Sequence, residues 1–433
     1  MAMTKEELIA RLNAGTKEER LKAAKALKAL IDRGEIAAPE RLGFTNNHVH
    51  TTYSFSPYSP AKAVWMAYMS GLSTVGIVDH DAINGADEFI RAGEILGIPT
   101  TIGFEIRTDW SNTRLKGKRI NNPDQLTSAY ICAHGLPHTQ IAKADAFLSR
   151  IRAAREQRSR AMTAKINGII KPFGIEIDYD AEVVPISFAA DGGEVTERHI
   201  LFALANRLTQ KIGKGQPLID VLEGPLEMAL SVSQKALLAD TDCGVYAYDL
   251  LNLLKGSFVA RMYIDSQPDE TPDVFEVVAF LKECGAIASY CYLGDVAASP
   301  TGDKKAQTFE DAYLDDLFEE CRRIGFNAIA YMPSRNTVAQ LDRVMAKCDE
   351  YGFMQISGED INQPRQSFIC RQLADPRYAH LTDTTWALVG HEVAATKDLS
   401  NGMFSDGAAL DMKQVAERIG KYKKIGQEYY SAT

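Results

Sequence analysis

The seven cysteines of this 433-residue chain are scattered and form no C-x-x-C pair, which argues against both a zinc ribbon and a disulfide framework. No basic segment leading into an apolar one opens the chain, and no apolar run is long enough to span a bilayer. The expectation is a cytoplasmic enzyme without membrane attachment. Internal repeats and low-complexity tracts are also missing. Positive charge is not in excess: a net charge of −9 argues against a general hold on long nucleic acid and leaves room only for a local basic groove. What remains, 45% apolar and 24% charged residues, is an ordinary globular composition. The length suits several domains, or one large barrel with an insertion.

Residues 1–40 read as a helical extension. Thr16 to Glu19 has capping-box spacing, and apolar residues recur at three- and four-residue intervals until Gly34. From Phe44 short strands alternate with helices. Ser59-Pro60 starts a helix that Gly71 ends, Thr74 to Val78 is a buried strand, and Gly85 to Gly97 brackets a second helix. Ile98 to Ile106 and Ala129 to Ala133 are further strands. This alternation predicts a parallel sheet in the first barrel part, 41–141. Residues 142–270 break the rhythm with a long basic helix stopped at Pro172-Phe173-Gly174 and further helical patterns, and so read as a mostly helical insertion. After Pro272 the alternation returns through 271–433, with strands at Ala286–Tyr292, Phe326–Met332 and Phe353–Ser357. An amphipathic C-terminal helix is expected on the barrel's outside.

Polar residues cluster where the apolar runs end. His48 and His50 are two apart on a strand and so face one point. Asp79-His80-Asp81, Glu105, His134 and Glu359-Asp360 close other strands. Two imidazoles converging with a carboxylate from another strand form the start of a metal site.

In this order the motifs resemble the PHP (polymerase and histidinol phosphatase) superfamily, specifically its stand-alone metal-dependent phosphoesterases with a helical insertion. The resemblance runs over roughly residues 44–370. It is carried by His48-Val49-His50, Val78-Asp79-His80-Asp81, Gly103-Phe104-Glu105, His134, Ser289 to Tyr292 and Gly358 to Asn362, with Arg155 to Arg158 and Arg198-His199 in the insertion. It implies an α/β fold, a distorted TIM-like (β/α)7 barrel, with metal at the strand ends. A first ion would take His48, His50, Glu105 and Asp360. A second would share Glu105 and add His134 and Cys291, where the family has histidine. Cys291 is either a thiolate ligand or a small buried apolar residue. A third position is depleted, because Phe55 and Asn362 stand where the family has ligands, so one or two ions (zinc, manganese or iron) are expected. His80 is left to contact substrate, to act as an acid, or to be structural. His199 reads either as a pocket residue or as a histidine at a helix start. Arg107 and Arg365 offer bidentate forks to phosphate, or are surface charges.

The resulting expectation is hydrolysis of a small phosphate ester by a metal-activated water, with His80, His199 and Arg107 as catalytic candidates. The departures at Phe55, Cys291 and Asn362 favour an alternative, a catalytically degraded metal- or anion-binding module. A barrel hydrolase of carbon–nitrogen bonds ranks below both, since no later histidine pair or lysine matches it. Substrate identity and oligomeric state are not legible.

Overall fold

The computed structural model describes residues 3–296 and 308–432. Thr4 and Thr16 each accept from the backbone N–H three residues on, while Glu7 and Glu19 reach back to the cap N–H. These capping boxes start α1 (Lys5–Arg11) and α2 (Lys17–Asp32). β1 (Thr45–Val49) leads into α3 (Pro60–Met69), capped by Ser59 with Pro60 in its first turn. β2 (Thr74–His80), α4 (Ala86–Leu96) and β3 (Thr100–Asp109) follow. All of β2 and β3 except the last residue of each is buried, as expected of strands covered on both faces. The helical extension packs on this part of the barrel. Arg20 of α2 makes a buried two-pronged pair with Glu88 of α4, at 2.8 and 2.6 Å.

β4 (Ser128–His134) departs from the expected parallel sheet. It runs antiparallel to β3, with Glu105 opposite Cys132, and antiparallel to β5 (Ile287–Cys291). The reason is local. Residues 110–127 hold turns and bends, with no helix to carry the chain back across the sheet, and Trp110 N–H bonds to the Thr127 carbonyl at 2.8 Å. The chain re-enters beside the top of β3 and can only run downward.

Between β4 and β5 the described residues form no strand, and their α-helices are α5 (Ile141–Ile170), α6 (Glu197–Ile212), α7 (Gln216–Glu223), α8 (Val232–Ala239), α9 (Tyr246–Met262) and α10 (Val274–Glu283). Met162, Ile166, Leu204, Leu250 and Phe258 belong to a hydrophobic cluster separate from the barrel's, and Phe55 joins it from the barrel side. α11 (Leu314–Ile324), β6 (Ala328–Tyr331), α12 (Val338–Tyr351) and β7 (Met354–Ser357) complete the sheet, whose order is β1 to β7. His50 N–H bonds to the Ile361 carbonyl, and Ile361 N–H to the His48 carbonyl, at 2.9 and 3.0 Å. These bonds bring β1 to the end of β7 and nearly close a seven-stranded α/β barrel. Gly358 permits the approach, since a Cβ there would sit 2.6 Å from that of His48.

α13 (Ala379–Lys397) has no counterpart in the sequence reading. It crosses the barrel floor, the end opposite Glu105 and Asp360. Asn47 donates to Thr385 at 2.8 Å, Ile102 N–H to Glu392 at 2.8 Å, and Leu388 and His391 lie against Gly135. The single C-terminal helix expected on the barrel's outside is two, α14 (Asp406–Asp411) and α15 (Val415–Ala432). α15 packs mainly on α13, where Gly390 meets the Tyr422 carbonyl so closely that any Cβ would clash.

Candidate metal centre

Three imidazoles converge on one carboxylate oxygen. Oε2 of Glu105 lies 3.0 Å from His80 Nδ1, 3.7 Å from His50 Nε2 and 3.8 Å from His48 Nε2. Asp360, just past β7, brings Oδ1 to 3.3 Å from His50 Nε2. The topology makes this meeting place. β1 ends at Val49 between the two histidines, His80 ends β2 in register with Glu105, and Ile361 is stitched to β1. The rings of His50 and His80 stack with centroids 4.6 Å apart.

The surrounding residues hold these groups in place. Asp79 is buried and accepts from Thr51 N–H, Thr51 Oγ1 and Ser54 Oγ at 2.5 to 2.6 Å, fixing the turn after His50. Asp81 takes a left-handed backbone, φ 47°, and its N–H bonds to the Glu105 carbonyl at 2.8 Å. That conformation, tolerated by Asp, sends its carboxylate to Arg155 of α5 at 2.7 Å.

Charge in the site favours a cation. Burial pushes Glu105 upward, but His80, His48 and His50 outweigh it and hold the carboxyl down to about 2. Asp360 is likewise held well below the carboxylate range, against burial, by His50, His48 and Arg198. Burial works against a charged His48, yet Glu105 and Asp360 raise it to about 9. Burial dominates at His80 and lowers it to about 3. Two ionised carboxylates thus face imidazoles, and buried His50 Nδ1 has no hydrogen-bond partner. Three sets of donors lie within 4.8 Å of one another: His48, His50 and Asp360; His50, His80 and Glu105; and His48, Glu105 and Cys132. Imidazole and carboxylate at these spacings fit a borderline divalent ion.

His134 joins none of these sets among the described residues. Because β4 is reversed, its last residue lies toward the floor, and Cys132, two residues earlier, is level with Glu105. His134 is the residue expected from the resemblance; the antiparallel register instead brings Cys132, absent from the sequence-based candidates, into a donor group with His48 and Glu105. Cys291 Sγ lies 3.3 Å from Cys132 Sγ. His134 is buried with Nε2 unpartnered, and burial lowers it to about 3.

The remaining candidates separate. His199 sits in the first turn of α6, where Nδ1 accepts from Thr196 N–H at 3.0 Å as part of the helix cap, and Phe55 packs edge-on against its ring. Its contacts are those of a helix-start histidine. Arg107 is buried, bonds to Tyr130 Oη at 2.8 Å and lies 3.6 Å from Glu270. Tyr130 in turn lies against His80, 5.6 Å between ring centroids. Arg365 is engaged by Asp249 at 2.7 Å.

No protein-family model matches the chain. Over 152 residues it is 31% identical to a 5'-3' exoribonuclease of Haemophilus influenzae, a match covering 35% of this chain and 47% of that protein. The chain therefore matches about half the length of that curated relative. Among solved structures it is similar to a protein of Bifidobacterium adolescentis described as a metal-dependent phosphoesterase, at 19% identity and a TM-score of 0.49, over 76% of this chain and 93% of the other. It is also similar to an amidohydrolase of Chromobacterium violaceum solved with sulfate and no metal, at 17% identity and a TM-score of 0.49, over 76% and 90%.

Proposed function

We propose that the protein is a metal-dependent phosphoesterase acting on a small phosphate ester: a nucleotide, a sugar phosphate or a short oligonucleotide. The observation that carries the reading is the convergence of His48, His50 and His80 on Glu105 Oε2, with Asp360 against His50. His48, His50, Glu105 and Asp360 would hold a zinc, manganese or iron ion. Such an ion supplies a water of lowered pKa as nucleophile and positive charge for the phosphoryl oxygens.

The chain's own residues do the rest. His80, kept neutral by burial, stands beside the donors and would orient the ester as a neutral hydrogen-bonding group. Arg107, in the layer above Glu105 on β3, adds fixed positive charge for the phosphate. Asp79 and Asn362 orient the histidine loop and Asp360. The short-oligonucleotide option draws support from the named activity of the Haemophilus relative, a 5'-3' exoribonuclease.

The test is hydrolysis of an aryl phosphate, mononucleotides, sugar phosphates and short oligonucleotides by protein loaded with each metal. Turnover that disappears in His48→Ala is the expected result, and no hydrolysis of any of these by any metal form overturns the reading. One observation favours a second reading, a metal- or anion-binding module. Phe55 is consumed by the insertion's hydrophobic cluster and Asn362 by Asp360. Tight stoichiometric metal without turnover would select that reading.

A further inference from the structure

Cys132 and Cys291 come from neighbouring strands and meet at 3.3 Å between sulfurs. Cys132 Sγ also lies within 4.8 Å of donor atoms of His48 and Glu105. We propose that the two thiols form a dithiolate half of a second metal position, shared with Glu105 and selective for zinc or ferrous iron over manganese or magnesium. The inference rests on the metal-centre reading above.

The separation fits a shared ion. Two thiolates on a tetrahedral zinc, with Zn–S of about 2.3 Å, stand about 3.8 Å apart, so a shift of about half an ångström brings the pair to ligand spacing. A disulfide fits less well. Ile131 is opposite Tyr290 and Cys132 opposite Ser289, which makes Cys132 and Cys291 diagonal neighbours. Diagonal neighbours lie about 7 Å apart, at or beyond the limit of about 6.8 Å between Cα atoms for a disulfide. The register thus aims two sulfurs at one point without favouring a bond between them.

The other cysteines lack this setting. Cys132 alone of the seven joins a metal-capable group among the described residues, and Cys291 reaches that group through its 3.3 Å contact with Cys132; Cys284, Cys321, Cys348 and Cys370 are buried without such a contact, and Cys243 meets Asp249 and Arg365. On binding, each ligating Cys132 or Cys291 S–H gives its proton to solvent as the metal–sulfur bond forms, so no oxidant or reductant is consumed. Sulfur favours soft and borderline ions, while the nitrogen and oxygen donors of His48, His50 and Asp360 do not discriminate so sharply. The centre would therefore be asymmetric: His48, His50 and Asp360 would hold one ion through nitrogen and oxygen, and Cys132 with Cys291, beside Glu105, would offer sulfur to the other.

The test uses reduced, metal-free full-length protein titrated with cobalt(II) and with zinc. A thiolate-to-cobalt charge-transfer band in the near ultraviolet is expected, falling by about half in Cys132→Ser or Cys291→Ser and vanishing in the double variant, with His134→Gln unchanged. The second zinc equivalent should bind at least about 10-fold more weakly in the double variant. Should buried Cys132→Ser fail to fold, mass-mapped alkylation of the wild-type protein decides. Both thiols should be protected by zinc and react once it is removed under mild denaturation. Cobalt bound without the band, a band surviving in the double variant, or no zinc protection overturns the proposal. Ester hydrolysis is assayed separately. The band without hydrolysis defeats the phosphoesterase reading alone, and hydrolysis without the band defeats the dithiolate alone.

Discussion

Asn362 Nδ2 donates to Asp360 Oδ1 at 2.6 Å, while Asn362 Oδ1 accepts from Arg198 of the insertion at 2.7 Å. A position where a ligand was expected is thus a bridge between a candidate ligand and the helical insertion. Replacing Asn362 with Leu removes both bonds and leaves Asp360 free to rotate. Partners that orient a ligand are typically worth about 10–100-fold in metal affinity. Asn362→Leu should therefore lower affinity for the first ion by about that factor in a chelator competition, with an unchanged circular dichroism spectrum. An affinity within twofold of wild type would remove Asp360 from the ligand set.

Phe55 performs the same substitution of roles in apolar terms. Its ring packs against His199, Phe202 and Tyr248, at centroid distances of 4.9, 5.7 and 6.1 Å. Truncating a buried phenylalanine costs about 3–5 kcal/mol. Here the loss falls on the seam between barrel and insertion. Phe55→Ala should show that loss in chemical denaturation and accelerate proteolytic cleavage within 142–270. A change below about 1 kcal/mol would show the seam to be held elsewhere.

What the sequence revealed and what it hid follow from which physical signals are local. Ser59, Gly85, Gly97 and Thr16 mark helix ends by short-range hydrogen bonding and backbone freedom, and those ends lie where expected. His48 and His50 were legible because a two-residue period needs only one strand. The direction of β4 was not, because strand direction depends on the path of residues 110–127, and the antiparallel register sets Cys132, two residues before His134, opposite Glu105. α13 was invisible for another reason. Covered by the floor on one side and α15 on the other, it has buried Thr384, Thr385, Gly390, His391 and Glu392 and no polar stripe to mark a helical period.

That floor gives the fold a dependence on pH. His391 is buried, its Nδ1 accepts from Met403 N–H at 2.9 Å, and burial lowers it to about 4. An unfolded histidine titrates near 6.5, so between those values the unfolded chain binds the extra proton. The contribution is fully present above pH ~6.5 and is lost as pH falls toward 4, to a total of about 3 kcal/mol. Stability measured by denaturant at a series of pH values should fall across this window, and less steeply in His391→Gln. Equal slopes in the two proteins would assign the dependence to other buried histidines.

Arg155 of α5 joins the barrel and the insertion by charge, as Arg107 and Arg365 do elsewhere. Its guanidinium lies 2.7 Å from Asp81, 3.4 Å from Glu194 and 3.2 Å from Glu270, all four side chains buried. Burial pushes Asp81 up to about 6 against the pull of Arg155. Burial also raises Glu194 well above the carboxylate range, where Arg155 opposes it. Arg155→Met keeps the length of the side chain but strands these carboxylates in a dry setting. Breaking one side of a buried pair costs about 3–5 kcal/mol, and part of that is relieved if Asp81 or Glu194 takes up a proton. The variant should therefore lose stability most at pH 8 and recover some at pH 5. Asp81 follows His80 directly, so the loss should also displace His80, lowering metal affinity or turnover more than Arg160→Met, whose exposed partners are Glu156 and Asp180. Denaturation midpoints of both variants at the two pH values check the argument, and a pH-independent loss at Arg155 would show its partners to remain ionised.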